Sequence, residues 1–295
     1  MSEAIARYSY VLALDGIRLA IWLVLLFAIF VPLEHLCGVH PQKIWRKQTG
    51  VDLAWYFINS IVPAAILSLP LALISRLLRG FDPGGLYSAV GALPFWPKFL
   101  LMVFVNDLGA YWGHRALHAH PFLWRFHAVH HSAEEMDWLV NTRAHPFDMV
   151  FVRFSGLAPV YLLGLAQTTG GHLDLGVAIL TIVGTVWTFF IHANMRTRLG
   201  PFEWLISSPA FHHWHHTKNE HRDRNFAFFF PLIDRLFGTA WLPKSWPAQY
   251  GIGEPMPSNL AGQLLRPLAA FESPGAAHAQ PNSNGDMQPI PAASR

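Results

Sequence analysis

The sequence predicts an all-α, polytopic membrane protein. It has about four to five membrane-embedded helices and a cytosolic helical cap that carries a histidine-rich dimetal site. Two observations predict the membrane frame. The chain is 52% hydrophobic and only 13% charged, where a soluble domain carries about 25% charged residues. Apolar runs also recur at lengths that suit a bilayer. A third observation predicts the cap: many of the 17 histidines are gathered into tight clusters.

The first apolar run, residues 17–33, is too long for a removed signal peptide and lacks a clear small-residue cleavage site, so it reads as a retained anchor. The second, residues 51–78, contains Pro63 and Pro70, which membrane helices tolerate when neighbours satisfy the freed carbonyls. Residues 79–93 are rich in Gly and Pro and read as a loop. Residues 95–112 form a third run that leads without a breaker into His114. Residues 146–165 form a fourth, broken at Gly156 and Pro159. Residues 175–191 form a fifth and deliver His192. The segment 273–295 is nearly free of large apolar side chains and reads as a disordered tail. Three parts follow: 1–94, N-terminal membrane helices and linker; 95–250, the histidine-bearing part; and 251–295, a C-terminal segment.

Runs four and five form a hairpin, so the polar blocks before and after it share one side. Those blocks are rich in Arg, whereas the turn at 167–174 holds neither Lys nor Arg. The positive-inside rule then places the histidines on the cytoplasmic face. The net charge of +3 is too small and too spread out to indicate nucleic acid. The Arg-rich, Lys-poor usage points to a bacterial inner membrane. One cysteine, Cys37, excludes an intramolecular disulfide and thiolates as the main metal ligands.

The clusters have helical spacing. His114 and His118 are i and i+4 and share a face. His127, His130 and His131 read H-x-x-H-H, and His212, His215 and His216 repeat that pattern. Adjacent histidines are splayed by about 100° on a helix, which suits ligands to different ions. Eight imidazoles exceed the needs of one ion, and two ions with roughly four ligands each is the economical reading. A lone histidine is ordinarily a surface or hydrogen-bonding residue; three clusters on one face are not. His192, at the end of a run on that face, and His145, in Arg-Ala-His-Pro, are further candidate ligands. His120, His213 and His221 read as neighbours of the site or solvated groups, and His35, His40, His172 and His278 as unrelated. Asp107, Glu134, Glu135 and Asp137 are candidates for orienting imidazoles, against the plainer reading of helix caps or solvated charges. The tryptophans that flank the clusters read as an interfacial belt.

These motifs resemble the membrane-bound fatty acid hydroxylase/sterol desaturase superfamily over roughly residues 95–243. The likeness extends to Arg-Ala-His145-Pro, His192-Ala-Asn194, Ser-Pro209, Asn225 and Asp234-Arg-Leu-Phe-Gly-Thr239. It implies a fatty acid hydroxylase-like catalytic domain over 95–250 with a non-haem di-iron centre. That centre would use O2 and two reducing equivalents to hydroxylate, or alternatively desaturate, a lipid C–H bond. The resemblance carries the eight box histidines over as iron ligands, and His192 and His145 less securely. No catalytic residue beyond the ligands is implied. The chain shows no fused cytochrome b5 domain and no Gly-rich nucleotide fingerprint. Electrons are therefore expected from a separate donor of the cytochrome b5 or ferredoxin/reductase type. A metal transporter is the alternative of another class, but transporters place ionisable groups along a path at mid-membrane, and here the histidines sit at the ends of the runs.

Overall fold

The computed structural model describes residues 2–78, 82–166 and 175–269. The expected tail at 273–295, the turn at 167–174, His172 and His278 lie outside the described residues. Within them the chain is helical: α1 (Ser2–Cys37), α2 (Thr49–Leu77), α3 (Leu86–Gly91), α4 (Phe95–Ala119), α5 (Pro121–His131), α6 (Pro146–Leu162), α7 (Leu175–His192), α8 (Pro209–His215), α9 (Pro231–Leu236) and α10 (Leu260–Ala269). Among the described residues there is no strand, only a single bridge between Thr217 and Tyr250.

Among the described residues, three stretches of helix are long and apolar enough to cross a membrane: Ala13–Cys37, Thr49–Leu77 and Leu175–His192. Their outward residues, such as Ile21, Val24, Ile66, Leu69 and Ile182, remain exposed, which water would penalise and lipid does not. The expected third and fourth runs are helices α4 and α6 but are not among these three. The physical reason is visible in their composition. Helix α4 continues past the apolar run through Arg115 and His118 to Ala119. Helix α6 has 17 residues, including Asp148 and Arg153, and so reaches only about 25 Å at 1.5 Å per residue. Nor is α6 broken at Gly156 or Pro159; both lie inside it. The segment expected to be a loop holds the short helix α3, whose first amides, those of Tyr87 and Ser88, donate to the Asp82 carboxylate.

Helices α4 and α6 meet along a seam of small residues. A Cβ at Gly109 would overlap the Ser155 carbonyl oxygen, one at Gly113 would lie 2.6 Å from Ser155 Oγ, and one at Gly156 would lie 2.9 Å from the Asn106 carbonyl oxygen. Such seams let backbones approach closely and are a common device for packing apolar helices. The approach brings the C-terminal turns of α4 beside the start of α6. A second core joins α1, α2 and α7 through Leu26, Phe30, Tyr56 and Phe189, with Trp138 and Leu139 from the segment between α5 and α6.

Gly109→Leu is expected to force the seam apart and destabilise the protein by at least about 1–3 kcal/mol, the usual cost of overpacking. Gly16→Ala, where an added Cβ meets nothing within 4 Å, is expected to be neutral or mildly stabilising. Thermal unfolding of the two variants in one detergent checks the contrast.

Candidate metal centre

Four elements deliver the histidines. The last two turns of α4 carry His114 and His118 on one face. Pro121 opens α5, where its missing N–H costs nothing, and this helix ends on His127, His130 and His131. His192 closes α7. Ser208 caps α8, its Oγ accepting from Phe211 N, and Pro209 follows it. That short helix presents His212 and His215, with His216 as its C-cap.

These nine imidazoles form two adjacent groups. His114, His118, His127, His131 and His215 make one; His130, His192, His212 and His216 make the other; within each, one nitrogen per ring lies within 4.8 Å of all the rest. The neighbours His130 and His131 part into different groups, as do His215 and His216. His192 joins the second group. His145 joins neither. Its Nδ1 accepts from Phe147 N and caps α6, and its ring packs on Phe126.

Hydrogen bonding on the outer side fixes the protons of six of these rings, whereas Nδ1 of His131, His212 and His216 has no hydrogen-bond partner. Nδ1 of His114 donates to Phe226 O (2.8 Å), that of His130 to Arg143 O (2.9 Å), that of His192 to Thr188 O (2.7 Å) and that of His215 to Arg224 O (2.7 Å). A carbonyl can only accept, so the Nε2 of each of these neutral rings carries a lone pair. His127 and His118 donate in the same way to Asp148 and Asp223, each at 2.9 Å. The Nε2 atoms then face one another: 3.1 Å between His114 and His127, and 3.2 Å between His130 and His192. Lone pair against lone pair at that distance is repulsive unless a cation lies between. His118 Nε2 and His215 Nε2 are buried with no hydrogen-bond partner, which native structures rarely leave unexplained. An all-imidazole set, six of whose nine rings have fixed tautomers and inward lone pairs, fits metal ions, and imidazole suits iron as well as zinc or copper.

The outer acceptors are themselves held. Asp107 is buried and accepts from the amides of Phe228, Phe229 and Phe230. Asp234 accepts from those of Phe226 and Ala227. Together they pin the strip whose Phe226 carbonyl orients His114 and whose Phe228 ring stacks on it at 5.1 Å. Asn225, at φ 59°, bridges Phe211 O and Trp241 through its amide. Arg143 forms a bidentate pair with Asp52 (2.7 and 2.9 Å), and Arg46 links Asp52 to Asp137. All four side chains are buried, and this network sets the position of the Arg143 carbonyl that holds His130.

Of the acids expected to orient imidazoles, none does so directly. Asp107 and Asp137 bind backbone and arginine, and Glu134 and Glu135 are exposed. The residues that do so, Asp148 and Asp223, were missed. Asp148 was legible as the single acid of the fourth apolar run, three residues beyond His145. Asp223 had no signal beyond lying in a polar loop. His213 is buried, bonded to Tyr250 Oη and Ala193 O; His120 caps α5, and His221 stacks on Trp241.

Fold and site together define a class: a helical membrane protein built around a histidine centre competent to hold metal. Comparison with known proteins gives the family. Residues 99–239 match the family model described as fatty acid hydroxylase. The ornithine lipid hydroxylase OlsE of Rhizobium tropici is 31% identical over 245 residues, covering 77% of this chain and 69% of that protein. The very-long-chain aldehyde decarbonylase GL1-8 of Oryza sativa subsp. japonica is 30% identical over 217 residues, covering 70% and 76%. The alkylglycerol monooxygenase of Danio rerio is 30% identical over 166 residues, and the match spans 34% of its length. No solved structure matches. The chain belongs to the fatty acid hydroxylase family, and so to the membrane oxidoreductases that act on lipids.

Two predictions test the site. Asp52→Ala strands Arg143 in the interior while Arg46 keeps Asp137, and removing one partner of a buried ion pair costs about 3–5 kcal/mol; unfolding of the variant measures it, and a smaller loss would show the network to be dispensable. The second concerns pH. Burial holds His127 at about 3, and burial with its neighbour His127 holds His130 at about 4. Burial, with crowding by other imidazoles, pushes His131, His212, His215 and His216 well below the ordinary histidine value. In the metal-free protein the unfolded chain therefore takes up more protons than the fold below about pH 6.5, so stability falls as pH drops. Melting temperature is expected to decline steadily from pH 7 to pH 5, and a flat profile would show that these rings are not buried and neutral.

Proposed function

We propose that the chain is an integral-membrane, non-haem di-iron oxygenase that uses O2 and two electrons from a separate donor to hydroxylate a lipid C–H bond. The observation that carries this reading is the pair of adjacent imidazole groups with their inward Nε2 lone pairs. His114, His118, His127, His131 and His215 would hold one iron, and His130, His192, His212 and His216 the other. Bound there, the iron pair supplies activation of O2 for cleavage of the C–H bond.

The chain's own residues do the rest. Asp148 and Asp223 hold the Nδ1 protons of His127 and His118 and make those rings better donors. The rings of Phe226 and Phe228 lie 5.6 and 5.1 Å from His114 and form an apolar wall that keeps water from one side of the centre. The apolar spans hold the hydrocarbon out of water. Residues 95–250 form the catalytic part, 1–94 the membrane anchor that also buttresses it, and 251–295 a C-terminal segment. The basic residues of the two histidine-bearing blocks support a cytoplasmic centre in a bacterial inner membrane. The ornithine lipid hydroxylase is similar over 77% of this chain, which supports an acyl aminolipid as the first substrate to try.

Purified protein is expected to hold about two irons per chain; one or none would defeat the reading. Whole-lipid mass spectrometry of cells with and without the chain is expected to show a lipid heavier by one oxygen, absent with His212→Ala. A lipid lighter by two hydrogens would mean desaturation on the same scaffold.

A further inference from the structure

Two carboxylates hold a ring nitrogen of the centre, and they differ in position. The Asp148 side chain is 4% exposed, whereas that of Asp223 is 59% exposed. Hence His118 is joined to a carboxylate at the solvent surface. Beside it stands Trp124, half-buried. Its ring lies 5.1 Å from that of His118, 5.4 Å from His131 and 6.0 Å from His127. Three of the five imidazoles of one group therefore touch a single indole. On that indole rests the Arg222 guanidinium, 4.7 Å from the ring centroid, with its Nε 3.7 Å from Asp223.

The surroundings are basic. The loop Lys218-Asn-Glu-His-Arg-Asp-Arg224 carries three cations, and Arg125 adjoins Trp124 in the chain. Of the loop's two acids, Asp223 is taken up by His118 and Arg222. A second path leads from Tyr250 Oη to His213 and on to Ala193 O. It reaches the four-histidine group only through backbone, and the hollow outside it sets two exposed acids, Glu134 and Glu135, against one cation, Lys218.

We propose that the face formed by Trp124 and Arg222, with Lys218 farther along the same loop, docks a small acidic one-electron carrier protein, and that Trp124 relays its electrons to the five-histidine group. This rests on the oxygenase reading. Opposite charge steers such an encounter and fixes its register, and a Trp–Arg pair at the centre of a patch is the composition of an interface hot spot. Each encounter oxidises one carrier by one electron. Two encounters, with two protons from solvent and one O2, balance the conversion of one C–H to C–OH and the release of one water.

The test uses the full chain in neutral-lipid nanodiscs, with two acidic probes: a [2Fe–2S] ferredoxin and the haem domain of a cytochrome b5. At least one is expected to bind wild-type protein, metal-free and iron-loaded alike, and more weakly as salt rises. Arg222→Glu, and separately Lys218→Glu, are expected to weaken binding about tenfold at low salt and to flatten the salt dependence. Lys218→Glu should keep wild-type product formation when dithionite is the reductant, whereas Arg222, which touches Asp223, is read by binding alone. Trp124→Leu is expected to bind the carrier more weakly and, at saturating carrier, to reoxidise it at least about tenfold more slowly, with Trp124→Phe recovering much of the rate. Binding of neither probe, or unchanged affinity in both charge reversals, overturns the docking face. A wild-type transfer rate in Trp124→Leu overturns the relay. In each case dithionite-driven turnover by wild-type protein would leave the oxygenase reading standing; its absence would remove that reading and the proposal together.

Discussion

In six of the nine rings, the nitrogen that faces the centre is aimed by a hydrogen bond made on the far side of the ring. That constraint organises much of the molecule. Imidazoles left to rotate would turn their lone pairs away from one another, because nothing in the interior rewards two acceptors at 3.1 Å. Carbonyls of Phe226, Arg143, Thr188 and Arg224 prevent it by accepting the Nδ1 protons. Those carbonyls are useful only if they cannot move. Hence the deeper tier of buried groups: Asp107 and Asp234 on the 226–230 strip, Asn225 beside Arg224, and Asp52 on Arg143. Buried carboxylates are expensive alone, yet here each is saturated by amides or guanidinium, and the rigidity is passed on to the rings.

Much of the centre was legible in the sequence because helical spacing is local information. The pairs at i and i+3 or i+4 state which rings share a face, and the adjacency of His130 with His131 and of His215 with His216 states that they diverge. His192 could be placed because it ends an apolar run on the histidine side. His145 met the same description less well; Pro146 directs it to cap α6 instead. The outer tier was not legible. Arg46, Asp52, Asp137 and Arg143 meet across 91 residues of chain, and spacing carries no trace of such a meeting.

The frame shows the same division. All five apolar runs are helices, since hydrophobicity and length are read directly. Which of them suffices to cross a bilayer depends on how each ends. Helix α4 runs on into Arg115 and two histidines, and α6 stops after 17 residues. Gly109, Gly113 and Gly156 could be read one by one as breakers or neutral positions. Only when α4 and α6 are laid together do they become the contact that sets the height of His114 and His118 relative to α5.

One feature of the buried network reaches beyond the site. The stretch that matches the family spans residues 99–239, yet its interior is completed from outside that stretch. Asp52 and Arg46 hold Arg143 and Asp137, Asn59 donates to Thr142 O and Ala144 O, and Glu34 accepts from Asn194 N. On the far side Tyr250 engages His213, and Gln263 of α10 accepts from Trp55 of α2. The stretch that matches the family is thus not a portable module. In a chimaera with a relative, the unit of exchange that keeps its charges paired runs from about residue 34 to residue 263. A cut at the edge of the family match would divide a single cooperative interior.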